Sequence, residues 1–348
     1  MKVIVLGAGG FIGGWICEKL NAIDDIELLA CVRRWSSAPR IARRGIEMMQ
    51  VDLDSPGDLI SFISGADVVI NAAVPSSDRE PELALRLYSA CAKASVHKFI
   101  QFSSAALYGD LSGAINEDIP PAPVDGYGRG KAEMERRLLQ AASRGGPQLF
   151  ILRPSIVYGP FSDAWTVRYA QRIANGRLLT LGTLGTGTCN LIYAGDVARA
   201  AILCATGNAP PGSHVVNING PDVVSWNDYV QRFGDALNIA NRTTPSNIRL
   251  VVMVYGTEVI RTVGKWLLAR FEKVVRSLTR SGKTGPAVMA GAKSLADLYP
   301  TLGETKLLRR RVRYDWDRAA KDLGFCPETS LDDGLRLSAS WCRIHGVI

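Results

Sequence analysis

Tyr127-Gly128-Arg129-Gly130-Lys131 sets a phenol and an ammonium four residues apart. If a helix begins here and runs on through Ala132-Glu133-Met134-Glu135, both groups share one face. A phenol that ionises near pH 10 in water is a poor base. A neighbouring cation lowers its pKa and permits proton exchange with an alcohol or ketone. The same spacing also suits an ordinary pair on a helix surface, and taken alone it does not decide between the two. A second hydroxyl bears on the choice. Phe99-Ile100-Gln101-Phe102-Ser103-Ser104 reads as a buried strand whose end would bring a serine to the same crevice.

That chemistry needs a hydride carrier, and the chain opens on a place for one. Lys2-Val3-Ile4-Val5-Leu6 leads into Gly7-Ala8-Gly9-Gly10-Phe11-Ile12-Gly13, followed by a helical stretch. Glycines at 7, 10 and 13 allow a tight turn, a close approach of backbone to pyrophosphate, and close helix packing. The helix N-terminus adds free N–H groups and a partial positive charge. After the second strand Glu27–Val32, Arg33-Arg34 stand where an acid would receive the adenine ribose hydroxyls. Guanidinium forks suit a 2′-phosphate, which favours NADP(H) and leaves NAD(H) open. Asp52-Leu53 fall at the adenine edge. Asn71-Ala72-Ala73 close a strand with small residues, where backbone passes the nicotinamide-side ribose.

The elements that must position these groups alternate. Apolar runs at 2–6, 27–32, 67–73, 98–102 and 148–152 read as buried parallel strands separated by helical periods. The expected fold class is α/β: a Rossmann-type doubly wound parallel sheet over 1–160, then a smaller C-terminal α/β substrate domain over 161–348. Within the latter, 187–235 is expected to return partly to the sheet. Its elements are a helix beginning at Asp196, a strand at 214–219, helices at 226–237 and 331–342, and an amphipathic basic helix within 251–280.

With Leu152-Arg153-Pro154-Ser155-Ile156-Val157-Tyr158-Gly159-Pro160 added to these motifs, the chain from Gly7 to about Trp341 resembles an extended short-chain dehydrogenase/reductase of the NAD-dependent epimerase/dehydratase family. The resemblance implies that Ser104 hydrogen-bonds the reacting oxygen, with Ser103 structural. Tyr127 is then the general acid/base, and Lys131 binds the nicotinamide ribose and tunes Tyr127. The cofactor residues are Gly7, Gly9, Gly10, Phe11, Ile12, Gly13, Arg33, Arg34, Asp52, Leu53, Asn71, Ala72, Ala73, Tyr127, Lys131 and Pro154. Asp196 is read as capping the next helix. For substrate it points to Ser104 and Asn190 and, from a cluster preceding Tyr314-Asp315, to Arg311 and Arg313 as a diphosphate clamp, with a solvated basic face as the alternative. Cys189 stands where related sugar-nucleotide enzymes often carry a clamp arginine, which weakens that substrate.

Composition removes other classes. The net charge of +8 is local: residues 261–313 hold 13 Lys/Arg against 3 Asp/Glu, so the rest is slightly acidic. No nucleic-acid-binding signature accompanies it, and an anionic small molecule or membrane surface fits better. Three histidines without a paired cluster leave metal catalysis and a Ser-His-Asp triad without parts. Seven cysteines lack CxxC spacing and read as reduced thiols. No apolar run reaches 18 residues, so a cytoplasmic protein is expected. The stripe within 251–280 suits a core or dimer helix, hence an expected homodimer, or a lid over an apolar substrate, or peripheral membrane attachment. The leading expectation is an NAD(P)-dependent ketoreductase or epimerase of a nucleotide-activated sugar. A dehydrogenase/reductase of a hydrophobic, sterol-like alcohol or ketone, and a non-catalytic cofactor-sensing module, are the alternatives.

Overall fold

In a computed structural model of the chain, the apolar runs become one parallel sheet. The structure describes residues 1–54, 59–176, 181–239 and 302–348. They divide into two units, the first comprising Met1–Ser162, Asn190–Asp222 and Val312–Gly334.

The strands of that sheet are β1 (Lys2–Leu6), β2 (Glu27–Val32), β3 (Met48–Gln50), β4 (Val68–Asn71), β5 (Lys98–Phe102), β7 (Gln148–Pro154) and β11 (Ser213–Ile218), in the order β11-β7-β5-β4-β1-β2-β3. Val3 to Leu6 are fully buried, as a strand covered on both faces requires. Helices α1 (Phe11–Leu20) and α7 (Ala194–Thr206) pack together over one face through Ile16, Cys17, Val197 and Ala201. Over the other, α4 (Glu80–Lys93) and α5 (Gly126–Ala142) interlock Leu83, Leu87, Met134 and Leu138. From β1 the chain winds one way to β2 and β3, and from β4 the other way to β5, β7 and β11. The crevice at the carboxyl ends of β1 and β4 is therefore the switch point where such sheets bind ligands. Two small parallel ladders complete this unit. One pairs β6 (Gly113–Ile115) with β13 (Val312–Tyr314), the other β8 (Ile156–Tyr158) with β10 (Leu191–Tyr193).

Two expectations are corrected here. The return to the first unit covers Asn190–Asp222, short of residue 235, and a further segment, Val312–Gly334, joins it. β11 extends the sheet edge beside β7, whereas Val223–Arg311 belongs to the second unit. Asp196 does not cap α7, whose N-cap is Tyr193. Its carboxylate instead accepts the backbone N–H groups of Glu328 (3.2 Å) and Thr329 (3.0 Å), tying down the late segment from a first-turn position that suits an anion.

The second unit comprises Asp163–Cys189, Val223–Arg311 and Leu335–Ile348. Here β9 (Thr188–Cys189) pairs antiparallel with β12 (Val224–Ser225). Helix α8 (Trp226–Ala236) starts at a capping box in which Ser225 and Asp228 satisfy each other's backbone N–H. Trp226, Tyr229 and Phe233 recur on one face of α8, and Trp226 and Tyr229 pack with Tyr169 of α6 (Arg168–Ala174). The expected amphipathic helix within 251–280 lies outside the described residues. No helix among the described residues is long and apolar enough to cross a membrane.

Candidate active site

The glycine turn is shaped by close approach. Gly7 has φ +77°, and a side chain there would meet the Ala73 nitrogen at 2.6 Å. One on Gly13 would meet the Gly7 carbonyl at 2.2 Å. β1, its turn, α1 and the end of β4 thus touch backbone to backbone. Helix α1 carries no side-chain cap and no acid in its first turn, which leaves its N–H groups and positive end for an anion.

Before this turn lies a cleft of about 490 Å³. Of the residues expected to hold a cofactor, Gly7, Gly9, Gly10, Phe11, Ile12, Arg33, Asp52, Leu53, Ala72 and Ala73 line it. Gly13, Arg34, Asn71, Tyr127, Lys131 and Pro154 do not. Arg34 follows Arg33 in extended backbone, so the two side chains diverge, and both are exposed. Asn71 is buried behind the cleft. It donates to Gln101 Oε1 (2.8 Å) and accepts from the Ala73 N–H (3.2 Å), which fixes the turn that the cleft wall needs. Pro154 is buried at the end of β7. Sequence reading missed Ser37 and Asp54 in the lining. Asp54 pairs with Arg33 (3.5 Å) and Arg79 (2.6 Å), so an acid and two arginines meet beside the cleft.

The chemical corner lies beyond β5. Ser104 caps the single turn Ala105–Tyr108, its hydroxyl oxygen accepting the Ala106 N–H (3.1 Å) and leaving its proton to donate. Helix α5 starts at Asp125, which accepts the Gly128 N–H (2.7 Å). The glycines flanking Arg129 let α5 press against its neighbours. A side chain on Gly128 would meet the Ala106 carbonyl at 2.8 Å, and one on Gly130 the Ser77 carbonyl at 2.4 Å. So Tyr127 stands above the turn that Ser104 caps, half exposed. Lys131, one helical turn on, is buried with its Nζ 5.6 Å from the Tyr127 ring centre. That nitrogen donates to Glu80 Oε1 (2.6 Å) and the Phe102 carbonyl (3.0 Å), which leaves one N–H. Glu80, the first residue of α4, was not singled out in the sequence.

A buried network supports this corner from below. Arg153 grips Glu135 with both ends of its guanidinium (3.0 and 2.6 Å) and donates to Tyr108 Oη (2.6 Å), which in turn donates to Asn217 (2.9 Å). Burial pushes the Tyr108 phenol up, so it serves as a hydrogen-bonding strut.

The substrate expectations fare unevenly. Asn190 is buried, and its amide donates to the Val312 carbonyl (2.9 Å) and accepts from the Tyr314 N–H (3.4 Å), which seats β13. Arg311 and Arg313 are exposed. Cys189 is fully buried and burial drives its thiol up, so it packs as a small apolar group.

A sequence model of the NAD dependent epimerase/dehydratase family matches residues 3–219, from β1 to just past β11. The chain belongs to that family. This membership makes it a nicotinamide-dinucleotide-dependent enzyme. It is 25% identical to the 2-alkyl-3-oxoalkanoate reductase of Stenotrophomonas maltophilia, across 97% of this chain and 98% of that one. With the UDP-glucose 4-epimerase of Azospirillum brasilense it shares 27% identity over 58% of this chain and 67% of that one. In fold it resembles the UDP-glucuronic acid 4-epimerase of Bacillus cereus, solved with NAD, at a TM-score of 0.73 and 19% identity over 99% of each chain.

Proposed function

We propose that this chain is an NAD(P)-dependent ketoreductase or epimerase acting on a ring carbon of a nucleotide-activated sugar. The observation that carries the reading is that α5, which bears Tyr127 and Lys131, packs against the turn after β5 that Ser104 caps, in the same unit as the glycine-turn cleft. The backbone contacts at Gly7 and the uncapped start of α1 fit a dinucleotide pyrophosphate. Arg33 and Asp52 would hold the adenosine end, and the Ala72-Ala73 segment would pass its other half. When bound, the nicotinamide gives or takes the hydride. Ser104 then donates a hydrogen bond to the substrate oxygen, Tyr127 exchanges a proton with that oxygen, and Lys131 directs its remaining N–H toward the ribose.

Arg33 favours NADP(H), because it is an exposed cation lining the cleft and its fork suits a 2′-phosphate, although the Bacillus cereus neighbour holds NAD. The sugar reading draws on the epimerase neighbours, with Arg311 and Arg313 as exposed candidates for the diphosphate. A specific pair of observations favours a second reading, reduction of a hydrophobic ketone. Cys189 is buried and uncharged at the expected clamp position, and the reductase from Stenotrophomonas maltophilia matches nearly end to end.

The deciding experiment offers nucleotide-sugars and 2-alkyl-3-oxo acids in parallel with NADPH, reading loss of reduced-nicotinamide absorbance together with product mass. Uridine and guanosine diphosphates at millimolar concentration should raise the melting temperature and compete with substrate. If neither does, the hydrophobic-ketone reading replaces the sugar reading.

A further inference from the structure

Among the described residues, Glu80 Oε2 is the one carboxylate oxygen buried without a hydrogen-bond partner. Its companion Oε1 lies 2.6 Å from Lys131 Nζ, and both side chains are only 2% exposed. Ion pairs retained for architecture satisfy their oxygens, as Glu135 does with Arg153 in the layer below. Glu80 leaves half its carboxylate unused at the start of α4, where the helix end favours a negative charge. From here it faces the ammonium that the proposed mechanism places under Tyr127. We infer that Glu80 is a positioning residue that neutralises Lys131 and so holds Tyr127 as a proton donor, biasing the site toward carbonyl reduction. This inference rests on the function proposed above and deepens it.

The physical argument is one of fields. A lone ammonium 5.6 Å from the phenol ring would favour phenolate strongly, whereas an ammonium closed onto a carboxylate acts on the phenol as a compact dipole whose field falls off faster. The other charges around Tyr127 do not replace the lost cation. Glu135 is closed by Arg153 and Arg79 by Asp54, while Asp125 and Arg129 are exposed charges of opposite sign that solvent screens. Ser103, Ser104 and Tyr108 enter from β5 and its following turn as neutral groups. In the reductive direction the Tyr127 O–H bond breaks and its proton goes to the substrate oxygen as hydride reaches the carbon. The carbonyl π pair becomes the O–H bond, and the phenolate is reprotonated from solvent.

The test follows phenolate absorbance against pH in the full chain, subtracting the titration of a Tyr127→Phe variant to isolate one tyrosine. Glu80→Gln keeps an acceptor for Lys131 and removes the charge. It should bring Tyr127 ionisation to lower pH by roughly one unit, the scale of a single charge removed at close range. The alkaline fall of the reduction rate should shift equally. The double variant Glu80→Gln/Lys131→Gln buries no lone charge and should titrate within about half a unit of the parent. Should the single variant fail to fold, the double variant decides: a shift of a full unit upward would mean that Lys131 acts uncompensated, and the inference falls. It falls equally if Glu80→Gln titrates with the parent, since a merely architectural carboxylate leaves the profile in place. These titrations need neither cofactor nor substrate, so a wrong substrate leaves them valid. Undiminished turnover by Tyr127→Phe would instead sink the function while leaving the charge pairing intact.

Discussion

The glycine-turn cleft and the Tyr127 corner solve opposite problems within one unit. The cleft is built by backbone: Gly7 packs against Ala73 and Gly13 against Gly7, main chain on main chain with no room for a side chain. The corner is built by side chains, with Lys131, Glu80, Arg153 and Glu135 buried in ion pairs that hold a half-exposed phenol. A backbone site tolerates changes to side chains around it. A side-chain site fails when one member of a pair is removed, because the partner is left charged in a dry place.

The contrast breaks first at Arg153. Arg153→Met should cost about 3–5 kcal/mol by stranding Glu135, read as the loss of unfolding free energy in urea. A loss under about 1 kcal/mol would mean that water reaches the network. Next comes Tyr127→Phe, which should lower turnover by at least about 100-fold while cofactor affinity, followed by nicotinamide fluorescence, stays close to the parent's. Retained turnover excludes Tyr127 from the proton transfer.

On the cleft side the effect should be smaller. Arg33→Ala should weaken NADPH about tenfold and barely alter NADH, and the preference should shrink with added salt because Arg33 is exposed. Equal losses would make Arg33 a partner of Asp54 and nothing more. Ser104→Ala is the gentlest of the series. Removing one donor to the reacting oxygen should slow turnover about fivefold, while the loss of its cap on the turn after β5 should leave the melting temperature nearly unchanged. A large fall in melting temperature would recast Ser104 as structural.

What the sequence discloses follows the same division. Apolar runs and closely spaced glycines act over a few residues, so β1, β2, β4, β5 and β7 and the turn at Gly7 were legible to within a few residues. Tyr127 and Lys131 were legible as a spacing. Glu80 was not, because it lies 51 residues from its partner and Arg79-Glu80-Pro81-Glu82 reads as the charged start of an ordinary helix. That the Asn190 amide seats Val312, 122 residues later, was equally out of reach of a local reading. Arg34 was grouped with Arg33 by adjacency, although extended backbone sends neighbours to opposite sides.

The late segments also matter during synthesis. When residue 162 leaves the ribosome, β7 stands at a bare sheet edge, and its partner β11 is not complete until Ile218. The edge of β6 waits longer, for Val312–Tyr314, as does the amide of Asn190 for the Val312 carbonyl. Nascent chains thus carry an unpaired, apolar parallel edge on β7 until Ile218 is made, the kind of surface that invites chaperones or misassociation. A chain stopped short of residue 312 would keep every group assigned to hydride and proton transfer and still lack the strand that closes its sheet ladder.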